Sequence, residues 1–92
     1  MRITELEPVF VEFIPDQLEQ GKLYISKKYA TATHLCCCGC GNKVVTPFSK
    51  FNPYGWTMTE SDGKISFLPS IYNVAYKCKS HYFIKDNKVI WC

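Results

Sequence analysis

Four cysteines crowd into five positions, Cys36, Cys37, Cys38 and Cys40, with Gly39 and Gly41 interleaved, and Cys78 stands far along the chain. Deprotonated sulfurs that converge on one point make a tetrahedral site for a soft or borderline metal ion. The glycines let the backbone take left-handed turns, so that neighbouring sulfurs can point inward together. The expected ligands are Cys36, Cys38, Cys40 and Cys78, with His34 as the alternative to one of them. Zn2+ is the best fit to such a sulfur-rich set, ahead of iron. Four protein ligands leave zinc no open position for water, so the metal would be structural and any chemistry would lie elsewhere. The competing reading, that these are small buried apolar residues, does not account for such crowding.

The second chemical feature is a set of hydroxyls around His81, one of only two histidines. His81 follows Cys78 by three residues, Ser80 directly precedes it, and Ser70 follows Pro69. A serine beside a histidine general base can do nucleophilic catalysis. In a strand, neighbours point to opposite faces, so Ser80 and His81 would diverge. Ser70 meets His81 more naturally if the chain folds back. No Gly-x-Ser-x-Gly nucleophile motif is present. Candidate catalytic residues are therefore Ser70, Ser80 and His81, with Ser70 preferred as nucleophile because Pro69 stiffens its approach.

The elements that must position these groups read as short strands and tight turns. Val9 to Ile14 is rich in β-formers and Pro15-Asp16 breaks it; Asp16 to Gln20 is expected to make one helical turn, closed by Gly21. Lys22 to Ser26, Tyr29 to His34 and Lys43 to Thr46 read as extended, the last ended by Pro47. Gly55 to Ser61 and Lys64 to Leu68 flank Asp62-Gly63, a strong hairpin signal, and Pro69 is expected to end that hairpin. His81 to Lys85 and Lys88 to Trp91 flank Asp86-Asn87, a second hairpin. No helical pattern exceeds about two turns. The expected fold is mainly β: a small single domain over residues 1–92, with two C-terminal hairpins and a zinc knuckle.

Composition narrows the function classes. A chain of 92 residues allows one domain, and one so short often needs a staple such as a metal. The net charge of +3 comes from basic residues spread along the chain, which argues against a nucleic-acid surface. No apolar run approaches the length that spans a bilayer, and the first residues lack the apolar stretch of a signal peptide. A cytoplasmic protein is expected, and in a reducing compartment cysteines serve as ligands or catalytic groups rather than disulfides.

The stretches Leu18 to Ser26, His34-Leu-Cys-Cys-Cys-Gly-Cys-Gly41, Pro69-Ser-Ile71, Cys78-Lys-Ser-His-Tyr-Phe-Ile84 and Val89-Ile-Trp91 resemble a small bacterial family, formerly of unknown function, encoded beside Bub-type operons with E1-like and E2-like proteins. The resemblance implies a serine-protease-like, deubiquitinase-like hydrolase that acts on the C-terminal ester or peptide linkage of a bacterial ubiquitin-like protein or its E2-like conjugate. It places Cys36, Cys38, Cys40, Cys78 and His81 at motif positions, while Cys37 departs from the family's usual small residue or proline and is not expected to be a ligand. On this reading His81 is the base, Ser70 or Ser80 the nucleophile, N–H groups near a glycine turn the oxyanion hole, and His34 an orienting group or a ligand. An extended substrate tail would add to a sheet edge. The alternative is a non-catalytic zinc-knuckle adaptor that anchors a protein partner on aromatics such as Trp56, Tyr54 and Tyr72.

Overall fold

The alternation of inward apolar and outward polar residues is met by eight strands in two antiparallel-dominated sheets. The structure, a computed structural model, describes residues 2–92. The first sheet has the order β1 (Glu7–Phe10), β2 (Lys22–Ser26), β3 (Thr31–Leu35), β4 (Lys43–Pro47), and the second β5 (Thr57–Ser61), β6 (Lys64–Tyr72), β7 (His81–Lys85), β8 (Lys88–Trp91). All pairs are antiparallel except β1 with β2. Among the described residues no helix is long and apolar enough to cross a membrane.

The sheets share one core. Leu23, Ile25, Ala32 and Val44 from the first meet Ile65, Phe67, Ile71, Tyr82, Ile84 and Val89 from the second, and Cys36 and Cys37 lie buried among them. Full burial of such side chains is worth about 1.5–3 kcal/mol each, and β7 shows a strict two-residue alternation. On β7 Tyr82 and Ile84 point inward while His81, Phe83 and Lys85 point outward.

Both expected C-terminal hairpins form. Asp62 and Gly63, and Asp86 and Asn87, all take the positive φ that a type I′ turn requires. Asn87 also accepts a hydrogen bond from the Ile65 N–H at 2.7 Å, and its carbonyl accepts one from Leu6 at 2.8 Å. The N-terminal segment is thus fastened beside β8.

Three local expectations are corrected. Asp16 to Gln20 makes no helical turn; the loop instead wraps β2, with the Glu19 N–H donating to the Tyr24 hydroxyl at 3.1 Å. The strand expected over Val9 to Ile14 is β1, which stops at Phe10. Pro69 does not end a strand. β6 runs on to Tyr72, and Pro69 sits inside it at an irregularity in the pairing with β7, one of the few places a strand admits proline.

The sheets are joined through the β4–β5 connection, where Phe48 bridges Trp56. Gly55 is required there: a Cβ would stand 2.5 Å from the Pro47 carbonyl oxygen and 2.8 Å from the Phe48 carbonyl carbon. That close crossing delivers Trp56 to β6, where its indole N–H donates to the Ser70 carbonyl at 3.3 Å.

Candidate active site and metal centre

The irregularity in β6 creates the first site. Phe67 pairs with Ile84 and Ile71 with Tyr82. Three residues of β6, Leu68, Pro69 and Ser70, therefore face the single residue Phe83 of β7. Such a bulge leaves side chains aimed differently from a regular ladder. Ser70 and His81 come together across it, with Ser70 Oγ 2.8 Å from His81 Nε2. Both are half-buried, on the outward face of the sheet. Tyr72, the ladder partner of His81, stacks on the imidazole at 4.7 Å between centroids and 23° between planes. The ring is thereby held flat, and the His81 carbonyl accepts a hydrogen bond from the Cys92 N–H. To take the Ser70 proton at Nε2, the imidazole must carry its own proton on Nδ1.

Ser80 stands elsewhere. It is buried on the inward side, its hydroxyl 2.9 Å from Cys36 Sγ and accepting from Asn73 Nδ2 at 2.8 Å. The strand alternation that aims His81 outward aims Ser80 at the cysteines.

The cysteine cluster is a junction of two loops. The β3–β4 loop is closed by Cys36 N–H to Asn42 carbonyl at 2.8 Å and Gly39 N–H to Cys36 carbonyl at 3.1 Å, with Gly39 and Gly41 at φ of 89° and 83°. The β6–β7 loop supplies Cys78, and Asn73 N–H to Ser80 carbonyl closes it. The sulfurs of Cys36, Cys38, Cys40 and Cys78 all lie within 4.8 Å of one another. Cys36 is 3.4 Å from Cys38 and 3.8 Å from Cys78, and Cys40 is 3.8 Å from Cys78. Tetrahedral ligation with Zn–S bonds of about 2.3 Å separates sulfurs by about 3.8 Å, so the donor set could hold a metal ion of that size. Around it stand neutral donors: Asn42 Nδ2 donates to Cys40 at 3.2 Å and Asn73 Nδ2 to Cys36 at 3.5 Å. Hydrogen bonds from Ser80, side chain first and then backbone, pull the Cys78 thiol down to about 6. Burial pushes the Cys38 thiol up to about 12, and a hydrogen bond from the Asn42 backbone amide lowers that of Cys40.

Neither His34, the alternative ligand, nor Cys37 belongs to this group of donor atoms. His34 lies on β3, wholly buried, with Nε2 2.7 Å from the Tyr82 hydroxyl and no hydrogen-bond partner for Nδ1 among the described residues. Burial pushes its pKa down to about 4 and keeps it neutral. Cys37 is equally buried, and desolvation pushes its thiol up to about 12. These residues are core packing that ties β3 to β7. Because the Tyr82 hydroxyl is the one partner of a buried imidazole, Tyr82→Phe is expected to cost about 1–3 kcal/mol. Urea unfolding of the two proteins measures it, and a change below about 0.5 kcal/mol would mean that the bond carries no weight.

The sequence carries no signal for Asn73 or Asn42, and it offers Tyr72 and Trp56 only as aromatic anchors for a partner. Tyr72 is the one with a usable signal, since it shares a strand face with Ser70 two residues on.

A family model described as the serine protease of the bacterial ubiquitination-like system (BubE) matches residues 10–92. No curated protein and no solved structure matches the chain.

Proposed function

Because the chain belongs to the family of bacterial ubiquitination-like system serine proteases (BubE), we propose that it is a serine-type hydrolase of one zinc-stabilised domain that cleaves the C-terminal ester or peptide linkage of a bacterial ubiquitin-like protein. The observation that carries this reading is the 2.8 Å approach of Ser70 Oγ to His81 Nε2 on an outward sheet face. Ser70 is the nucleophile. His81 takes its proton as the hydroxyl attacks the carbonyl carbon, then returns it to the leaving amine or alcohol; water repeats the cycle on the acyl-enzyme. Tyr72 holds the imidazole by stacking, and the Ser70 amide is the proposed donor to the developing oxyanion. Ser80 serves the metal centre instead.

The ligands proposed for Zn2+ are Cys36, Cys38, Cys40 and Cys78. Bound there, the ion supplies no catalysis; it ties the β3–β4 loop to the loop that leads into His81. Ser70 and His81 stand on β6 and β7, the two central strands of their sheet. The substrate tail therefore approaches across the sheet face and not by strand addition at an edge.

The test is a serine-reactive fluorophosphonate followed by peptide mass mapping. Labelling of Ser70, lost in His81→Ala, is the expected result. Absence of labelling in a folded, metal-loaded protein overturns the hydrolase and leaves the reading of a zinc-knuckle adaptor that binds a protein partner.

A further inference from the structure

The outward face that carries Ser70 and His81 also carries a groove of about 480 Å3, lined by Leu68, Phe83 and Ile90 with Thr59, Ser66 and Lys85. Alternation explains the arrangement. Ser70, Leu68 and Ser66 share one face of β6, and His81, Phe83 and Lys85 share the same face of β7. Phe83 is paired with Ile90, and Lys85 with Lys88. Three rows follow along the strands. The dyad comes first, then the apolar row Leu68, Phe83, Ile90, then a basic row of Lys85 and Lys88, with Lys64 alongside on β6. Leu68, Phe83 and Ile90 are 61%, 37% and 48% exposed, unusual for large apolar side chains grouped together. Among the described residues Lys64, Lys85 and Lys88 take part in no ion pair, although Glu5 is bridged to Lys88 through the backbone.

We propose that this groove is the acyl-side subsite of the enzyme, and that it takes the extended tail of the ubiquitin-like substrate through an apolar side chain near the scissile bond and an acidic one farther back. The inference rests on the hydrolase reading of the previous subsection. Strand rise fixes the spacing: Phe83 lies about 7 Å and Lys85 about 14 Å along β7 from His81, at ~3.4 Å per residue. An extended tail lying over the strands therefore sets a large apolar residue two positions before the residue whose carbonyl is attacked, and a carboxylate four positions before it. The occupant is the acyl side, because in a conjugate only the ubiquitin-like part is constant while the leaving amine or alcohol varies. The apolar lining of Leu68, Phe83 and Ile90 suits a leucine or phenylalanine side chain, the volume admits that side chain with its neighbouring residues, and the unpaired lysines suit an acidic one.

The experiment uses four coumarin amides: acetyl-Glu-Ala-Leu-Gly-Gly, the same peptide with Ser in place of Leu, with Ala in place of Glu, and with both changes. Each is assayed with the metal-loaded wild type, Phe83→Ser, Ile90→Ser and Lys85→Glu, with fluorophosphonate labelling of Ser70 as the readout of an intact dyad. The expected result is that Leu to Ser in the peptide lowers kcat/KM about 10- to 100-fold for the wild type, and that this preference shrinks to about twofold in Phe83→Ser and Ile90→Ser while labelling persists. Such non-additivity marks direct contact. Glu to Ala is expected to cost about threefold, to fade in high salt, and to vanish in Lys85→Glu. Equal preference in wild type and both groove variants overturns the subsite. So does wild-type labelling at Ser70 with none of the four peptides cleaved, an outcome that spares the serine mechanism. No labelling at all removes both readings together.

Discussion

Ser70→Ala and His81→Ala are each expected to lower cleavage of a ubiquitin-like fusion by about 10³-fold or more, and the double variant is expected to be little worse than either alone. In the proposed mechanism the two groups act as one unit, so removing either should abolish the same step. The hydroxyl is a weak nucleophile without a base at its proton, and the base has nothing to activate without the hydroxyl. Both side chains are half-buried on the outward face and make no core contact of the kind that Phe67 or Tyr82 makes. Their loss should therefore leave the melting temperature within a few degrees of the parent, since surface substitutions usually move stability by no more than about 0.5 kcal/mol. Ser80→Ala separates the mechanisms. Its hydroxyl touches Cys36 and Asn73, so it should weaken metal retention and keep the chemistry while the metal is present. Measuring cleavage, melting temperature and zinc content together decides the assignment. Full activity in folded Ser70→Ala would sink the serine mechanism.

The second large effect is expected on metal removal. Elemental analysis should find one zinc per chain, and stripping it with a strong chelator under reducing conditions should unfold the protein at room temperature. The free energy of a structural zinc site reaches about 10 kcal/mol, comparable to the whole stability of a domain this size. Cys78 is the one proposed ligand from the β6–β7 loop, so Cys78→Ser should lose the metal and the fold together. Cys92→Ser, at an exposed position, should melt like the parent. Cys37 is a separate case: its thiol is wholly buried, so Cys37→Ala should cost a modest packing penalty with zinc still bound. Equal melting of the Cys78 and Cys92 variants would count against the ligand set.

Much of this arrangement could be read before any coordinates, and the reasons are local. Asp62-Gly63 and Asp86-Asn87 demand positive φ at both turn residues, and so fix two hairpins and their register. The period of two in the strand after Ser80 separates Ser80 from His81, which left Ser70 as the partner the geometry now gives His81. The crowding of Cys36, Cys38 and Cys40 around Gly39 marks a sulfur cluster, while Cys37 is set aside only by the family resemblance. What stayed hidden depends on pairing between distant segments. Pro69 reads as a terminator, because a regular ladder has no place for it, and only the partner strand shows that the ladder is interrupted there. The parallel pairing of β1 with β2 has no turn signature at all. Asp16 to Gln20 is followed by a helix-end glycine, Gly21, yet the Tyr24 hydroxyl claims the Glu19 amide, and tertiary contact overrides a weak local preference.

The bulge holds three residues of β6 against one of β7, a surplus of two, and two is the period of a strand. An odd surplus would turn every residue beyond it over, sending Ile71 to solvent and Tyr72 into the core. The even surplus leaves the inward row of Ile65, Phe67 and Ile71 unbroken and adds length only where the sheet meets water. The hydrophobic interior thus has no stake in Leu68, Pro69 and Ser70. Natural variation can lengthen, shorten or re-letter that stretch in steps of two with the sandwich beneath it undisturbed, so reactivity here can be gained or lost without relearning how to fold.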